Sequence, residues 1–328
     1  MQTSNFDFLI EEFPLLSNLA QAAEYNLYQD PGTSLYKLRQ YGEYMTEQIF
    51  DTYGMDLPET NTFQNRVFIL RNQGILPVNV IDYFTILRHK GNYAVHKFKG
   101  TTEEATSSLF ASFKLGKWFY ESYSVKNNAI EALKFKVPAN LDTRHVLYTL
   151  ENELAEIKTR YDQLLQQSKA VSVEEKIRFT ARAQRSASKL EMNEAQTRVL
   201  IDEQLRKAGW ECDSININFK TNKMLPKRGS NIAIAEWPCG AKWADYALFI
   251  GEELYGIVEA KRYAQDISSN LDQSKLYAEH ILESEHYQSL GIWSSYKVPF
   301  LFSANGKLNR IVATPASARD SLSVTMKE

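Results

Sequence analysis

The feature of this sequence that most constrains its fold is a change of hydrophobic pattern close to residue 190. Up to residue 125, apolar residues recur every three to four positions, which is the spacing of an amphipathic helix. From residue 191 onward, apolar residues form short runs bounded by turn-forming residues, as in strands. The two patterns predict an α+β chain, with an all-helical N-terminal domain and a later α/β core in which a mixed sheet is flanked by helices.

A charged helical connector over residues 126–190 is predicted to follow the helical domain over residues 1–125. Six connector residues form a seam with alternating spacings of three and four, over fewer than three heptads: Leu147, Leu150, Leu154, Ile157, Tyr161 and Leu164. A seam this short favours packing on a neighbouring domain and leaves contact with a second chain open. The basic stretch that follows, residues 168–190, is either a solvated helix face or an arm that contacts phosphate groups.

Composition restricts the classes of function. The 328 residues carry a formal net charge of −2, so a nucleic-acid site would have to be a local basic groove. Two cysteines argue against a secreted disulfide scaffold and for a reducing compartment. No signal peptide is evident, and no stretch approaches the roughly 20 apolar residues of a membrane span. A cytoplasmic protein without membrane contact is therefore expected.

The second domain is predicted over residues 191–306, and residues 307–328 form a divergent C-terminal tail. Its first helix begins at Asn193 and Glu194 and ends at Gly209. Five strand-like runs and one further helix follow: strands at 215–219, 232–237, 246–250, 254–258 and 298–302, and a helix at 272–282. The tight connection over residues 251–253 predicts an antiparallel hairpin between the third and fourth strands.

Acidic and basic residues cluster at one end of that hairpin. Asp245 begins one strand, and Glu259, Ala260 and Lys261 end the next, so the hairpin brings them close together. Glu259 and Lys261 are two residues apart and therefore project from the same face. Two carboxylates and the Ala260 carbonyl suit Mg²⁺, and Lys261 would hold a water or stabilise charge on a phosphate. This layout predicts metal-assisted phosphodiester hydrolysis.

The strand context, more than the acid-x-Lys triplet itself, carries this prediction. Glu156-x-Lys158 and Glu174-x-Lys176 have the same spacing, but they lie in helical stretches without an upstream acidic strand. The alternative for the triplet of the hairpin is a surface salt bridge between its acid and its lysine.

Several sequence blocks follow one another through the second domain: Leu200–Trp210, Ile234–Pro238, Ala244–Tyr246, Val258–Arg262, Gln273-x-x-x-Tyr277 and Phe302–Gly306. In this order they resemble the PD-(D/E)xK nuclease superfamily, with the Gln-x-x-x-Tyr motif of its RecB-like branch. More narrowly, they resemble the endonuclease domain of the R (restriction) subunit of type I restriction–modification enzymes. The first domain, including Asn92–His96, resembles the helical N-terminal extension of enterobacterial R subunits. The resemblance covers the chain to about residue 306 and implies a restriction-endonuclease-like core.

The resemblance implies a role for each residue of the hairpin site. Asp245 and Glu259, with the Ala260 carbonyl, would bind Mg²⁺, for which Mn²⁺ would substitute, and Lys261 would be the catalytic lysine. Glu194 matches the helical acid of the superfamily, and the alternative is an acid favoured by the helix dipole. Glu236, on a neighbouring strand, is a weaker candidate that we interpret as structural.

Residues outside the hairpin are candidates for DNA binding. Gln273 and Tyr277 share a helix face, and in the family that helix contacts DNA. Four basic residues with no acid among them join two predicted strands: Lys220, Lys223, Lys227 and Arg228. They form either a loop that contacts phosphates or an ordinary solvated loop.

The R subunits of this family continue into helicase-like motor domains. No Gly-x4-Gly-Lys-[Ser/Thr] sequence occurs in this chain, so ATP and ATP-driven translocation are implied only for a longer parent. We expect a fragment, a truncated product or an isolated nuclease cassette, which would be weakly active or silent alone. The expected partners are double-stranded DNA and the modification (M) and specificity (S) subunits, with cleavage that is sequence-nonspecific at this domain.

Two other functions stay open beside the leading one, a type I restriction endonuclease domain that acts against foreign DNA. One is a non-catalytic module that docks on DNA or on another subunit. The other is a HEPN-type RNase that uses Arg88 and His96, although their separation lies outside the Arg-x4–6-His window of that class.

Overall fold

The computed structural model of the chain describes residues 4–97, 100–126, 129–140, 144–165, 171–261, 271–281, 287–289, 296–305 and 311–315. The chain divides into two compact units, residues 1–190 and residues 191–328. The first unit is helical and the second contains a mixed sheet with flanking helices, so the predicted α+β class is confirmed. In the ranges given above, no helix is long and apolar enough to cross a membrane.

Helices make up the first unit, after a short 3-10 turn at Asp7–Leu9. Their bounds are Pro14–Asn26 (α1), Pro31–Thr52 (α2), Phe63–Asn72 (α3), Val78–Lys97 (α4), Thr102–Tyr123 (α5), Arg144–Leu165 (α6) and Val173–Ala187 (α7). Helix α5 begins with a capping box, in which Thr101 and Glu104 each accept a hydrogen bond from the backbone N–H of the other.

Both helices of residues 126–190 pack within the first unit. Helix α6 contacts α1 and buries Leu150 of the predicted seam, while α7 contacts α5. Part of the basic stretch at residues 168–190 is used in this packing. Arg182 donates hydrogen bonds to the backbone carbonyls of Glu121 and Ser124, and Lys189 forms an ion pair with Glu121. These contacts support packing rather than a free phosphate-binding arm.

The second unit is built on one mixed sheet. Its strands are Glu211–Cys212 (β1), Asn231–Cys239 (β2), Lys242–Ile250 (β3), Glu253–Ala260 (β4), Gln288–Ser289 (β5), Phe300–Ala304 (β6) and Ile311–Pro315 (β7). The order across the sheet is β1-β2-β3-β4-β6-β7, and β5 also pairs with β4. Strand β2 is antiparallel to β3 and β3 to β4, whereas β4 and β6 are parallel. The predicted hairpin between β3 and β4 is therefore confirmed.

Three helices accompany the sheet: Glu194–Lys207 (α8), Phe219–Asn222 (α9) and Leu271–Glu279 (α10). Apolar residues of α8, including Ile201 and Leu205, belong to one buried cluster with β3 and β4, which also contains Cys212. Tyr277 of α10 belongs to a second cluster, with Cys239 and residues of β2, β3, β4 and β6. Both cysteines are free and buried.

The predicted strand at residues 215–219 is wrong. These residues form a turn followed by the short helix α9. The Asp213 carboxylate accepts hydrogen bonds from the backbone N–H groups of Ile215 and Asn216, and Asn218 caps α9 through the N–H of Thr221. Short polar side chains that bond to nearby backbone favour turns and caps over strands, and this outweighs the apolar residues of the run.

Candidate active site

Two carboxylates face each other on neighbouring strands of the second unit. Strand pairing aligns Tyr246 of β3 with Val258 of β4, and this register places Asp245 opposite Glu259. The backbone N–H of Ala260 donates a hydrogen bond of 2.8 Å to Asp245 Oδ2. The hairpin thus brings the two acids together at the end of β4, where the sequence predicted them.

Lys261 completes this cluster at the carboxyl end of β4. Its Nζ donates a hydrogen bond of 2.9 Å to Glu259 Oε1, and the Glu259 side chain is only 5% exposed. The other oxygen, Glu259 Oε2, is buried and accepts no hydrogen bond from the protein, and the adjacent Asp245 carboxylate can share a hydrogen bond with Glu259 only when one of the two acids is protonated. A buried carboxylate oxygen without a donor is costly unless a cation or a water satisfies it.

Burial changes the ionisation of both acids. Desolvation and the adjacent Asp245 carboxylate raise the pKa of Glu259 to about 7, against the opposing effect of Lys261. Desolvation also raises the pKa of Asp245, although Arg198 and the Ala260 N–H favour its charged form. A buried acid whose charged form is disfavoured by desolvation and by a neighbouring carboxylate, as Glu259 is, is more typical of a functional site than of a surface salt bridge.

Arg198 of α8 is a part of the site that the sequence prediction missed. Its Nη2 lies 2.5 Å from Asp245 Oδ1, and its Nη1 lies 2.6 Å from Glu236 Oε1 on β2. The sequence signal that could have identified Arg198 is its position on the helix. Arg198 is three and seven residues before Ile201 and Leu205, so it lies on the apolar face that packs on the sheet.

Glu236 has an unusual backbone conformation opposite Asp245. Its φ is +51°, a left-handed value that costs a residue with a Cβ roughly 1–2 kcal/mol. Residues two apart in a strand normally lie on the same face of the sheet, but Ala235 lies in the α8 cluster and Trp237 in the α10 cluster. The alternation of side chains along β2 therefore changes at Glu236. The conformation presents the Glu236 carboxylate to Arg198, so Glu236 belongs to the site geometry.

The resemblance implies Mg²⁺ as the metal at this site. Over the described part of the chain, no group of three or more His, Cys, Asp and Glu side chains comes together as metal ligands. The site offers instead a pair of carboxylates, Asp245 and Glu259, with the buried Glu259 Oε2 lacking a partner. This fits Mg²⁺, which proteins hold through one or two carboxylates while it keeps several waters.

The other predicted site residues lie at different distances from this cluster. Glu194 is in the first turn of α8, 63% exposed, and its Oε1 is 3.7 Å from Arg198 Nη2. Tyr277 is buried in the α10 cluster, and α10 packs on β3, β4 and β6. The side chain of Gln273 lies outside the described residues.

The four basic candidates do not lie together. Lys220 Nζ is 5.2 Å from the ring centre of Trp243, two residues before Asp245, and Lys223 contacts the ring of Phe219. The other two pair with acids of the same unit, Lys227 with Glu211 and Arg228 with Glu252. Glu252 lies in the β3–β4 turn, so Arg228 is at the opposite end of β3 from Asp245.

The residues of the RNase alternative lie on α4 of the first unit. Arg88 Nη2 is 2.9 Å from Nε2 of the adjacent His89. The side chain of His96 lies outside the described residues, so the proposed Arg88–His96 pair stays a prediction.

Comparison with known proteins supports the resemblance found in the motifs. A family model described as the second domain of the type I restriction enzyme EcoKI endonuclease subunit matches residues 211–313. Over 390 aligned positions, the chain is 27% identical to the type I restriction enzyme EcoKI endonuclease subunit of Escherichia coli strain K12. The alignment covers 94% of this chain and 33% of that relative, so the chain spans about a third of its length. No solved structure matches the chain.

The matched range contains the Asp245, Glu259 and Lys261 cluster, and the longer alignment extends to the helical unit. Membership of the PD-(D/E)xK superfamily stays a prediction, since neither match concerns that motif. The two matches confirm the more specific resemblance, and the chain is similar to an R-subunit region of a type I restriction enzyme.

Proposed function

We propose that the second unit is a metal-dependent, sequence-nonspecific DNA endonuclease domain of a type I restriction enzyme. The observation that carries this proposal is the buried cluster of Asp245, Glu259 and Lys261 on two adjacent strands. Two acids and a lysine at one sheet end supply the groups that hydrolysis of a phosphodiester needs. The similarity to an endonuclease subunit supports the same reaction class.

Each residue of the cluster has a distinct task in this proposal. Asp245 and Glu259, with the Ala260 carbonyl, would hold Mg²⁺, and Mn²⁺ would substitute. The ion would supply Lewis-acid stabilisation of the phosphate and a more acidic water. Lys261 is held next to Glu259 by a 2.9 Å hydrogen bond, where its ammonium group would orient a water and stabilise developing negative charge.

Partners and location follow from the same proposal. The substrate would be double-stranded foreign DNA, with Lys220 and Lys223 as candidate phosphate contacts and Gln273 and Tyr277 as further candidates. The M and S subunits would recruit the chain to DNA, and ATP would act only in a longer parent. Free, buried cysteines agree with a reducing compartment, and we place the protein in the cytoplasm.

The proposal is tested by nicking of supercoiled plasmid with the purified 328-residue chain and Mg²⁺ or Mn²⁺. We expect cleavage by the unmodified chain and none after Lys261→Ala or after chelation of the metal. Lys176→Ala is the matched control, because Lys176 has the same Glu-x-Lys spacing but lies on α7 of the first unit. Cleavage that persists in Lys261→Ala would contradict the assignment.

One observation favours the second candidate, a docking module without catalysis. Asp245 is already neutralised by Arg198 at 2.5 Å, so part of the site is satisfied without a metal. A docking module would bind DNA or the M and S subunits with the same affinity before and after Lys261→Ala, and it would not nick plasmid in any metal.

A further inference from the structure

The guanidinium of Arg198 lies among three carboxylates from three elements. It contacts Asp245 of β3 at 2.5 Å and Glu236 of β2 at 2.6 Å, and it is 3.7 Å from Glu194 on its own helix. The Arg198 side chain is only 19% exposed. The contact therefore forms in a partly desolvated position, where charge-assisted hydrogen bonds are strong.

Asp245 has two oxygens, and both are engaged by the protein. Oδ1 accepts from Arg198 and Oδ2 accepts from the N–H of Ala260. A divalent cation and a guanidinium bound to the same carboxylate oxygen repel each other. A metal that uses Asp245 Oδ1 therefore competes with Arg198 Nη2 for that oxygen.

The surroundings provide Arg198 with a second place to bind. Its Nη1 is already bonded to Glu236, whose left-handed backbone directs the carboxylate toward the helix. Its Nη2 is 3.7 Å from Glu194, a side chain that is 63% exposed and free to approach. Release of Asp245 thus requires the loss of one contact while the guanidinium stays anchored by another.

Resting on the function proposed above, we propose that Arg198 is a positioning residue that competes with the catalytic metal for Asp245, and that Glu236 holds Arg198 when the metal binds. In the metal-free chain, Arg198 keeps the buried Asp245 neutralised. With metal bound, Glu236 and Glu194 share the guanidinium. Arg198 thereby sets the metal concentration at which the site fills, without touching the substrate.

Calorimetric titration of the full chain with Mn²⁺ alone, in the absence of DNA, tests this competition. Arg198→Gln is expected to bind Mn²⁺ at least about tenfold more tightly, because loss of a charge-assisted bond of about 1.4 kcal/mol changes an affinity tenfold. Arg206→Gln is the matched control, since Arg206 lies on the same helix and pairs with Glu203. Its affinity for Mn²⁺ is expected to equal that of the unmodified chain.

Two further variants separate competition from a general electrostatic field. Arg198→Lys keeps the charge but loses the planar fork that spans Asp245 and Glu236, so it is expected to bind Mn²⁺ more tightly than the unmodified chain. Glu236→Gln is expected to weaken binding in the unmodified background and to have no effect in Arg198→Gln. An effect of Glu236→Gln that persists without Arg198 would overturn the proposed coupling.

The outcomes also separate this inference from the proposed function. If Asp245→Asn binds Mn²⁺ as well as the unmodified chain, the metal site itself is wrong. If Asp245→Asn abolishes binding but Arg198→Gln and Arg198→Lys leave the affinity unchanged, only the competition is overturned. Circular dichroism melts of each variant verify that the second unit is folded, and Arg198→Lys keeps the test available if Arg198→Gln does not fold.

Discussion

Each unit of the molecule contains an arginine that is largely withdrawn from water, fully buried in the case of Arg66 and half-buried in the case of Arg198, and the two have different surroundings. Arg66 in the helical unit donates to the Thr46 hydroxyl at 2.9 Å and to the Glu43 carbonyl, and it pairs with Glu47. Arg198 in the sheet unit pairs with the carboxylates of Asp245 and Glu236. A guanidinium satisfied mainly by neutral oxygens is a structural element. A guanidinium held between several carboxylates indicates instead a site in which ion-pair partners can be exchanged.

The largest expected effect concerns the chemistry of the sheet unit. Glu259→Gln is expected to lower the rate of metal-dependent plasmid nicking by at least about a hundredfold, since it removes one of two charged ligands. Nicking rates are measured beside a thermal melt that verifies folding. Comparable rates in Glu259→Gln and the unmodified chain would remove Glu259 from the site.

In the helical unit, removing the arginine is expected to change stability and not catalysis. Arg66→Met is expected to lower the free energy of unfolding of the first unit by about 2–3 kcal/mol, because Glu47 and the Thr46 hydroxyl lose their partner. Urea denaturation followed by the circular dichroism of the helices, most of which lie in that unit, measures the change. Plasmid nicking at a temperature where the variant stays folded is expected to be unchanged. A loss of nicking without unfolding would contradict the structural role of Arg66.

The stability of the sheet unit is expected to depend on pH. The folded chain holds a proton on Glu259 up to a pKa of about 7, whereas the unfolded chain releases it near 4.5. Protons are therefore lost on unfolding between these values, and the free energy of unfolding falls as pH rises from about 4.5 to about 7. Thermal melts without metal measure this slope. Glu259→Gln is expected to flatten it, and an equally steep slope in that variant would assign the effect to another group.

The same melts repeated with Mn²⁺ test whether the bound ion uses Glu259. Metal binding favours the ionised carboxylate, so Mn²⁺ is expected to raise the melting temperature more at pH 8 than at pH 5. Arg66 lies in the first unit, so Arg66→Met is expected to leave the effect of Mn²⁺ on the second unit unchanged. Equal stabilisation at both pH values would show that the bound ion does not use Glu259.

The smallest expected effect is that of Glu194→Gln. Glu194 is exposed and reaches the site only through a 3.7 Å contact with Arg198, so nicking is expected to change by less than about threefold. A hundredfold loss would instead support a catalytic role for Glu194, which is the role that the resemblance implies.

The sequence was sufficient to predict the hairpin and the approach of Asp245 to Glu259. Period-two spacing and a tight turn depend on local residues, and they set the register beside the turn, where Ile250 pairs with Glu253. A β-bulge between Leu248 and Phe249, which was not predicted, shifts the register by one position and thereby places Asp245 opposite Glu259. The same local rules predicted the helix start at Asn193, where α8 begins with a capping box. These features need no knowledge of distant contacts.

Two of the features that were missed depend on contacts between residues far apart in the chain. Arg198 is 47 residues from Asp245, and no local pattern links a helix residue to a particular strand. The left-handed φ of Glu236 contradicts its own preference and is maintained by the packing of the two sheet faces. The turn at residues 215–219 was missed for a local reason, because Asp213 and Asn218 bind the backbone within that segment.

The two buried cysteines can be used to measure local unfolding of the sheet unit. Cys212 lies on the α8 face and Cys239 on the α10 face, and burial raises the pKa of both thiols. A thiol reagent therefore reacts with either only when that face is exposed to solvent. The labelling rates of the two single-cysteine variants would measure how fast each helix separates from the sheet. The first unit contains no cysteine, so it contributes nothing to the labelling.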